Sequence, residues 1–273
     1  MYVITTCITV YFFNQFLQPI KQQQEKYEEA KKNRKKLFKK LGVPDMALNS
    51  HEEIIANEVV DPEDIKDSFE DIGGLDDIID ELKESVLLPL CRPELFQQAG
   101  LSIAAPKGVL LQGPPAKEAN ARFINIRAST LMDKYLGESE KLVHALFSLA
   151  TKIQPSIIFI DEIDALLRDR QSKDHEVVAI MKTEMMSLWD GLMTGNSRVV
   201  ILGATNRPND IDSAFQRRLS KRIVINLPNQ IQRKEILKKL LQGASLHDDV
   251  DIDEIAKETN LFSGSDLKEF QFA

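Results

Sequence analysis

Between residues 108 and 226 the chain alternates short, uniformly apolar runs with longer stretches whose apolar residues recur every three or four positions. The runs Gly108–Gln112, Arg122–Arg127, Ser156–Ile160, Arg198–Ala204 and Arg222–Asn226 have the length of strands. Glu138–Lys152, His175–Trp189 and Ile211–Arg218 have the period of helices. Strands that are apolar on both faces, with helices between them, predict a parallel sheet covered on both sides. Ahead of this block, Ser68–Leu75 reads as a turn opening an amphipathic helix, Asp76–Leu88, with Ile78, Ile79, Leu82, Val86 and Leu87 on its apolar side. After Leu227-Pro228 only helical patterns remain: Gln230–Leu241, Ile252–Thr259, then Ser265 onward. The prediction is an α/β domain at 66–228 and a small helical domain at 229–273, whose last helix does not continue its apolar stripe.

The first twenty residues carry no charge. As a helix they span about 30 Å, enough to cross a bilayer core. Threonines, Asn14 and Gln15 weaken that span, and the basic start and small-residue cleavage site of a secretory signal are missing. A membrane anchor at 1–20 is the expectation, with an amphipathic or buried helix as the alternative. Residues 21–40 hold nine Lys/Arg against three Glu. They predict a charged helix that keeps the following chain in the cytosol. Gly42-Val43-Pro44 stops that helix, and 43–66 reads as a polar linker.

The whole chain has a net charge of −7, which argues against nucleic acid as a partner. Its two cysteines, Cys7 and Cys91, match neither a disulfide framework nor a metal-ligand spacing, so a reducing compartment is expected.

Chemistry concentrates where apolar runs end. In SIIFIDEID (156–164) two carboxylates follow a buried strand at its C-terminal end, the side on which open α/β sheets bind ligands. Asp161 has the hard oxygen a Mg²⁺ ion takes, and Glu162 is placed to orient or deprotonate an attacking water. VVILGATNRP (199–208) is a second buried strand ending in a polar residue, with Asn206 directed at a γ-phosphate or at that water. Arg217 and Arg218 follow in SAFQRRLSKR, where a guanidinium can stabilise charge on a transferring phosphoryl group.

In order and spacing, DIGGLDDIIDELKESVLLPLCRPELF, PKGVLLQGPP, IIFIDEID, GATNRPNDIDSAFQRRL and FSGSDLKE resemble the AAA+ ATPases. The stretches MDKYLGESEKLVHALFSLATKIQPSIIFIDEID and DHEVVAIMKTEMMSLWDGL are most similar to the thorase-type branch. Members of that branch are membrane-anchored ATPases of mitochondrial outer membranes and peroxisomes that extract mislocalised tail-anchored proteins. The resemblance covers roughly residues 62–270. It implies a P-loop NTPase-type sheet with a helical lid, ATP and Mg²⁺ as cofactors, and a homo-hexamer that threads membrane-protein substrates through a central pore. By position it makes Asp161 and Glu162 the Walker B pair, Asn206 the first sensor, and Arg217 and Arg218 fingers reaching into the next subunit. Asp71, Ile72 and Gly73 lie by the adenine, with Gly113, Pro114 and Pro115 at the phosphates and Gly264 and Ser265 closing over from the lid. Lys134, Tyr135, Leu136 and Gly137 become the pore loop, with Tyr135 gripping an extended polypeptide.

The sequence departs from this pattern in three places. Leu136 stands where the branch has a second aromatic, and Ser220 where the family continues with Pro. The third departure is larger. Gly113-Pro114-Pro115 is followed by Ala116-Lys117-Glu118-Ala119-Asn120 instead of Gly-x-Gly-Lys-Thr and the start of a helix. Roughly eleven residues are missing relative to the P-loop motif: the amide nest for phosphates, the lysine and the Mg²⁺-binding hydroxyl. Lys117 matches the end of the lost helix and does not replace that lysine. A parallel crossover normally takes a dozen or more residues. The eight steps from Pro115 to Phe123 reach about 27 Å against roughly 22 Å to be crossed, so the connection closes without a helix. An exposed apolar patch on the sheet face so uncovered is the expectation. With the lid also cut short, the alternative to an active ATPase is an alternatively spliced or mis-predicted product of an intact gene, acting at most as a non-hydrolysing ring subunit or partner-binding protein.

Overall fold

The computed structural model describes residues 35, 38–39, 42, 46–60, 73–98, 105–112, 122–132, 138–168, 176–194, 196–242 and 251–270. Five strands, β1 (Gly108–Gln112), β2 (Arg122–Arg127), β3 (Ser156–Asp161), β4 (Val199–Thr205) and β5 (Lys221–Val224), form one parallel sheet in the order β2-β3-β4-β1-β5. The strands differ from the expected runs by at most two residues at an end. Alternate residues along each strand feed two separate cores. Leu110, Ile124, Ile126, Ile158, Ile160, Val199 and Ile201 face the helices α6 (Glu138–Lys152) and α8 (Glu176–Thr194). Val109, Leu111, Phe123, Ile157, Phe159, Val200 and Leu202 make the opposite core.

That second face is not bare. Its sheet residues are 9% exposed or less, and Leu82, Val86 and Leu90 lie against them. Phe123 and Phe159 stack there with ring centroids 5.5 Å apart. The expected exposed patch is therefore corrected: the helical stretch before β1 packs on this face. It runs as α2 (Asp76–Leu82), a π turn (Lys83–Leu87) and α3 (Leu88–Cys91), followed by α4 (Pro93–Gln98). Pro89 explains the π turn. A proline inside a helix has no N–H to donate, and its ring crowds the carbonyl four residues back. A wider turn relieves that contact, and the Leu88 amide reaches back five residues to Lys83.

The stretch read as a polar linker contains a helix, α1 (Ser50–Ala56). A capping box starts it: Asn49 Oδ1 accepts from the Glu52 amide at 2.7 Å, and Glu52 Oε2 accepts from the Asn49 amide at 2.9 Å. Ile55, Ala56 and Val59 are buried in the core beside α6. Beyond α1 the chain pairs antiparallel with the edge strand. The Val60 amide donates to the Phe123 carbonyl at 2.8 Å, and the Asn125 amide to the Glu58 carbonyl at 2.9 Å. This covers backbone groups that an edge strand would otherwise leave open. The Glu52 carboxylate is itself buried. Burial alone would raise its pKa, but bonds from Lys152, Ser148 and Asn49 hold it below the ordinary value.

The remaining elements are α5 (Ala128–Leu131), α7 (Ile163–Leu167), α9 (Ser213–Arg218) and the lid helices α10 (Gln230–Leu240), α11 (Ile252–Glu258) and α12 (Gly264–Phe270). Leu237, Ala256 and Leu267 form the lid core. Arg233 is buried and bound to the carbonyls of Ala256 and Pro228, which joins α10 to α11. Among the described residues no helix is long and apolar enough to cross a membrane, and residues 1–34 lie outside them.

A Cβ at Gly108 would lie 2.4 Å from the Arg218 carbonyl oxygen and 2.9 Å from the Trp189 ring. Gly108→Ala is expected to cost about 1–3 kcal/mol through this overpacking. Urea unfolding followed by the emission of Trp189, the only tryptophan of the chain, measures the loss.

Candidate functional site

Parallel pairing in register brings three strand ends to one edge of the sheet. Gln112, the last residue of β1, is level with Thr205, the last of β4, and Ile160 of β3 pairs with Gly203. Asp161 ends β3 and Glu162 follows; both are exposed. Glu162 adopts left-handed backbone angles, φ 50° and ψ 44°. For a residue with a side chain this costs about 1–2 kcal/mol. The next residue shows what compensates. Ile163 is completely buried and fills the space above Gly203, where a Cβ would come within 2.6 Å of its Cδ1. With Ile163 drawn inward, the turn leaves both carboxylates facing solvent. Asp161 Oδ1 also accepts the Glu162 amide at 2.9 Å.

The neighbouring strand end is tied to the same turn. Thr205 Oγ1 donates to Asp164 Oδ1 in the first turn of α7, and accepts from the Arg207 amide at 2.8 Å. Asn206, between them, has its backbone fixed on both sides and its side chain exposed. Two carboxylates and a carboxamide thus stand at adjacent strand ends, beside the end of β1. Such a set can ligate a hard cation and orient a water. Among the described residues no three His, Cys, Asp or Glu side chains converge as a metal cage. A Mg²⁺ held by Asp161 would have to complete its shell with water and phosphate oxygens.

Gly73 and Gly74 lie directly on the lid. A Cβ on Gly73 would be 2.8 Å from the backbone of Glu235 and Ile236, and one on Gly74 (φ 75°) 2.8 Å from Gln232 Cβ. Gly264 and Ser265 open α12, and nothing lies within 4 Å of a Cβ built on Gly264. Asp71, Ile72, Gly113, Pro114, Pro115, Lys134, Tyr135, Leu136 and Gly137 lie outside the described residues.

The two arginines of α9 separate. Arg218 reaches back to α8, with Nε on Asp190 Oδ1 at 2.7 Å, Nη2 on Asp190 Oδ2 at 2.5 Å and Nη1 on the Ala214 carbonyl at 2.8 Å. The bond from Arg218 holds the Asp190 carboxyl below the usual carboxylate range, and Asp190 raises the arginine in turn. Arg217 is exposed and bonded to no described residue.

Residues 115–227 match the family model described as ATPase family associated with various cellular activities (AAA). The chain is 52% identical over 253 residues to the outer mitochondrial transmembrane helix translocase of Danio rerio, covering 88% of this chain and 70% of that protein. The human protein of the same name is 51% identical over the same length and shares. The mitochondrial sorting homolog of Caenorhabditis elegans is 44% identical over 255 residues, 89% of this chain and 74% of that protein. The chain belongs to the AAA ATPase family.

In this AAA ATPase the residues that sequence reasoning missed are supporting ones. Asp164, Thr205, Gly203 and Asp190 hold candidate residues in place through contacts 28 to 41 residues distant in sequence, or through packing. Proximity to a motif was the one signal for Asp164 and Thr205, which flank Glu162 and Asn206. Nothing in the sequence pattern marks Asp190 as the partner of Arg218.

The Asp190–Arg218 pair carries a sign for pH. Because the folded state depresses the Asp190 pKa, its contribution is present above the unfolded value of about 3.9 and disappears as pH falls through the lower folded value. Asp190 is half exposed, so the contribution is at most about 1 kcal/mol. Wild type is expected to exceed Asp190→Asn in stability at pH 7, with the gap closing below pH about 4. Denaturant titrations at several pH values measure it.

Proposed function

We propose that the intact form of this AAA ATPase is an ATP-driven translocase of transmembrane helices at the mitochondrial outer membrane, the activity named for its relatives. The observation that carries this reading is the set of strand ends: Asp161 to hold Mg²⁺, Glu162 to activate water, and Asn206 to contact the γ-phosphate. They stand on the edge of a sheet with the strand order 2-3-4-1-5. Arg217, exposed on α9, is the donor available to a neighbouring subunit of a homo-hexamer. Arg218, committed to Asp190, supports it. In this reading Gly73 is part of the adenine contact and couples it to α10, while Gly264 and Ser265 close from the lid. Lys134, Tyr135, Leu136 and Gly137 grip the substrate, with tail-anchored proteins as the class. Residues 1–20 anchor the protein, and a peroxisomal pool is included.

A second reading concerns the chain as it stands, and one observation favours it. Mg²⁺ and water have their residues, but the phosphates do not: no Gly-x-Gly-Lys-Thr follows β1. The comparison with the zebrafish protein runs over 253 positions yet takes in 88% of 273 residues, about 240, which leaves about a dozen positions of the relative without a counterpart. That is the size of the missing loop and helix start. The donor set therefore does not fit a bound ATP, and no hydrolytic step is assigned to this chain. It acts as a non-hydrolysing ring subunit or partner-binding form.

ATP binding and turnover by the full chain, beside a version with the Gly-x-Gly-Lys-Thr loop and helix restored, test both readings. Only the restored protein is expected to bind and hydrolyse ATP. In it, Glu162→Gln is expected to lower turnover at least about a hundredfold while binding persists. Turnover by the chain as it stands overturns the second reading; none by the restored protein overturns the first.

A further inference from the structure

We propose that His51 and Glu52 are positioning residues for α6, coupling both ends of that helix to the N-terminal arm at residues 49–60. At the start of α6, His51 Nε2 donates to Glu138 Oε2 at 2.8 Å, while Lys141 occupies the other oxygen at 2.7 Å. Toward its end, Glu52 Oε1 accepts from Ser148 Oγ at 2.7 Å and Lys152 Nζ at 2.6 Å. Glu138 and Ser148 are ten residues apart, about 15 Å along the helix. A single contact leaves a pivot, whereas two contacts this far apart fix both the tilt and the slide of α1 on α6.

Glu52 is only 1% exposed. A carboxylate so buried needs all its bonds, and losing one partner leaves a charge without compensation. Beyond the two clasps, Ile55 and Ala56 enter the core shared with α6. The arm then continues into the pairing with β2. A displacement applied to the chain before residue 49 therefore loads α6 and the sheet edge together.

α6 begins at Glu138, directly after the residues read as the substrate grip. For that consequence the inference rests on the proposed function: the arm that leads toward the candidate anchor sets the start of the helix behind the grip. Neither His51 nor Glu52 touches nucleotide or substrate in this scheme. They act through α6.

Hydrogen exchange of the full chain tests the coupling. The amides of Leu142 to Ala145 are the readout, because they bond to the carbonyls of Glu138 to Lys141 in the first turn of α6. In His51→Ala and in Glu138→Ala these amides are expected to exchange about tenfold faster, with α10 to α12 unchanged. His51→Gln keeps a side-chain donor and is expected to restore protection. Unchanged exchange in either His51→Ala or Glu138→Ala overturns the coupling. So does faster exchange throughout the chain, lid included, which reports a global loss of stability.

A second measurement separates the coupling from the reading it serves. Binding of a fluorescein-labelled extended apolar peptide is followed by anisotropy. His51→Ala is expected to weaken binding several-fold and His51→Gln to leave it intact, while Tyr135→Ala abolishes it. Loss with Tyr135→Ala but full binding with His51→Ala overturns the link from arm to grip and leaves the grip standing. Binding untouched by Tyr135→Ala overturns the grip reading, and the exchange data then decide the coupling alone.

Discussion

A parallel sheet built from short apolar strands must lose both of its faces to packing, because neither face has a polar register to offer water. Most of the molecule follows from how that is done. One face takes α6 and α8, with Trp189 and Met185 completely buried between sheet and surface. The other takes the helix at 76–91, which keeps Leu82, Val86 and Leu90 on the strands by opening into a π turn ahead of Pro89. The strand order sets a second demand. β1 and β2 lie three strands apart, about 14 Å, and their paired ends are offset by about 20 Å along the strands. The nine residues from 113 to 121 can extend over about 30 Å, so they can join the strands. The face on that side of the sheet is covered by 76–91.

The same parallel register produces the site. Strands in register end together, so residues just past those ends are assembled without any local signal to bring them there. What local sequence adds is the fine placement. Burying Ile163 against Gly203 contributes about 1.5–3 kcal/mol, enough to offset the left-handed backbone at Glu162. The side chain that packs is thus the reason the side chain before it faces solvent. Asp164 and Thr205 then make one unit of two neighbouring strand ends, and the spacing between Glu162 and Asn206 follows from bonds that neither residue makes.

How much was legible in the sequence tracks how locally each feature is determined. Strands β1 and β2 and helix α6 lie where the apolar pattern puts them, since burial on both faces leaves few alternatives. That Asp161, Glu162 and Asn206 stand at strand ends was legible because they end or follow such runs. The linker reading failed because seven helical residues are too few for periodicity to speak, and their stability comes from Asn49, Glu52 and contacts with α6. The expected bare face failed because covering it depends on where a helix thirty residues upstream docks, which no local pattern states. The separation of Arg217 from Arg218 was invisible for the same reason: adjacent arginines are equivalent until Asp190 chooses one.

Fold and catalysis therefore draw on different parts of this AAA ATPase. The sheet, both cores and the strand ends require the apolar pattern, and all of it is present. A phosphate cradle requires backbone amides and a lysine, polar groups that need not enter either core. Stability of this architecture is thus no measure of nucleotide competence. Arg217 is left exposed because Asp190 takes Arg218, and the arm is held to α6 by hydrogen bonds, an ion pair and apolar packing. The apolar pattern of this family can therefore be kept in full where β1 is not followed by Gly-x-Gly-Lys-Thr, because the two demands fall on different residues.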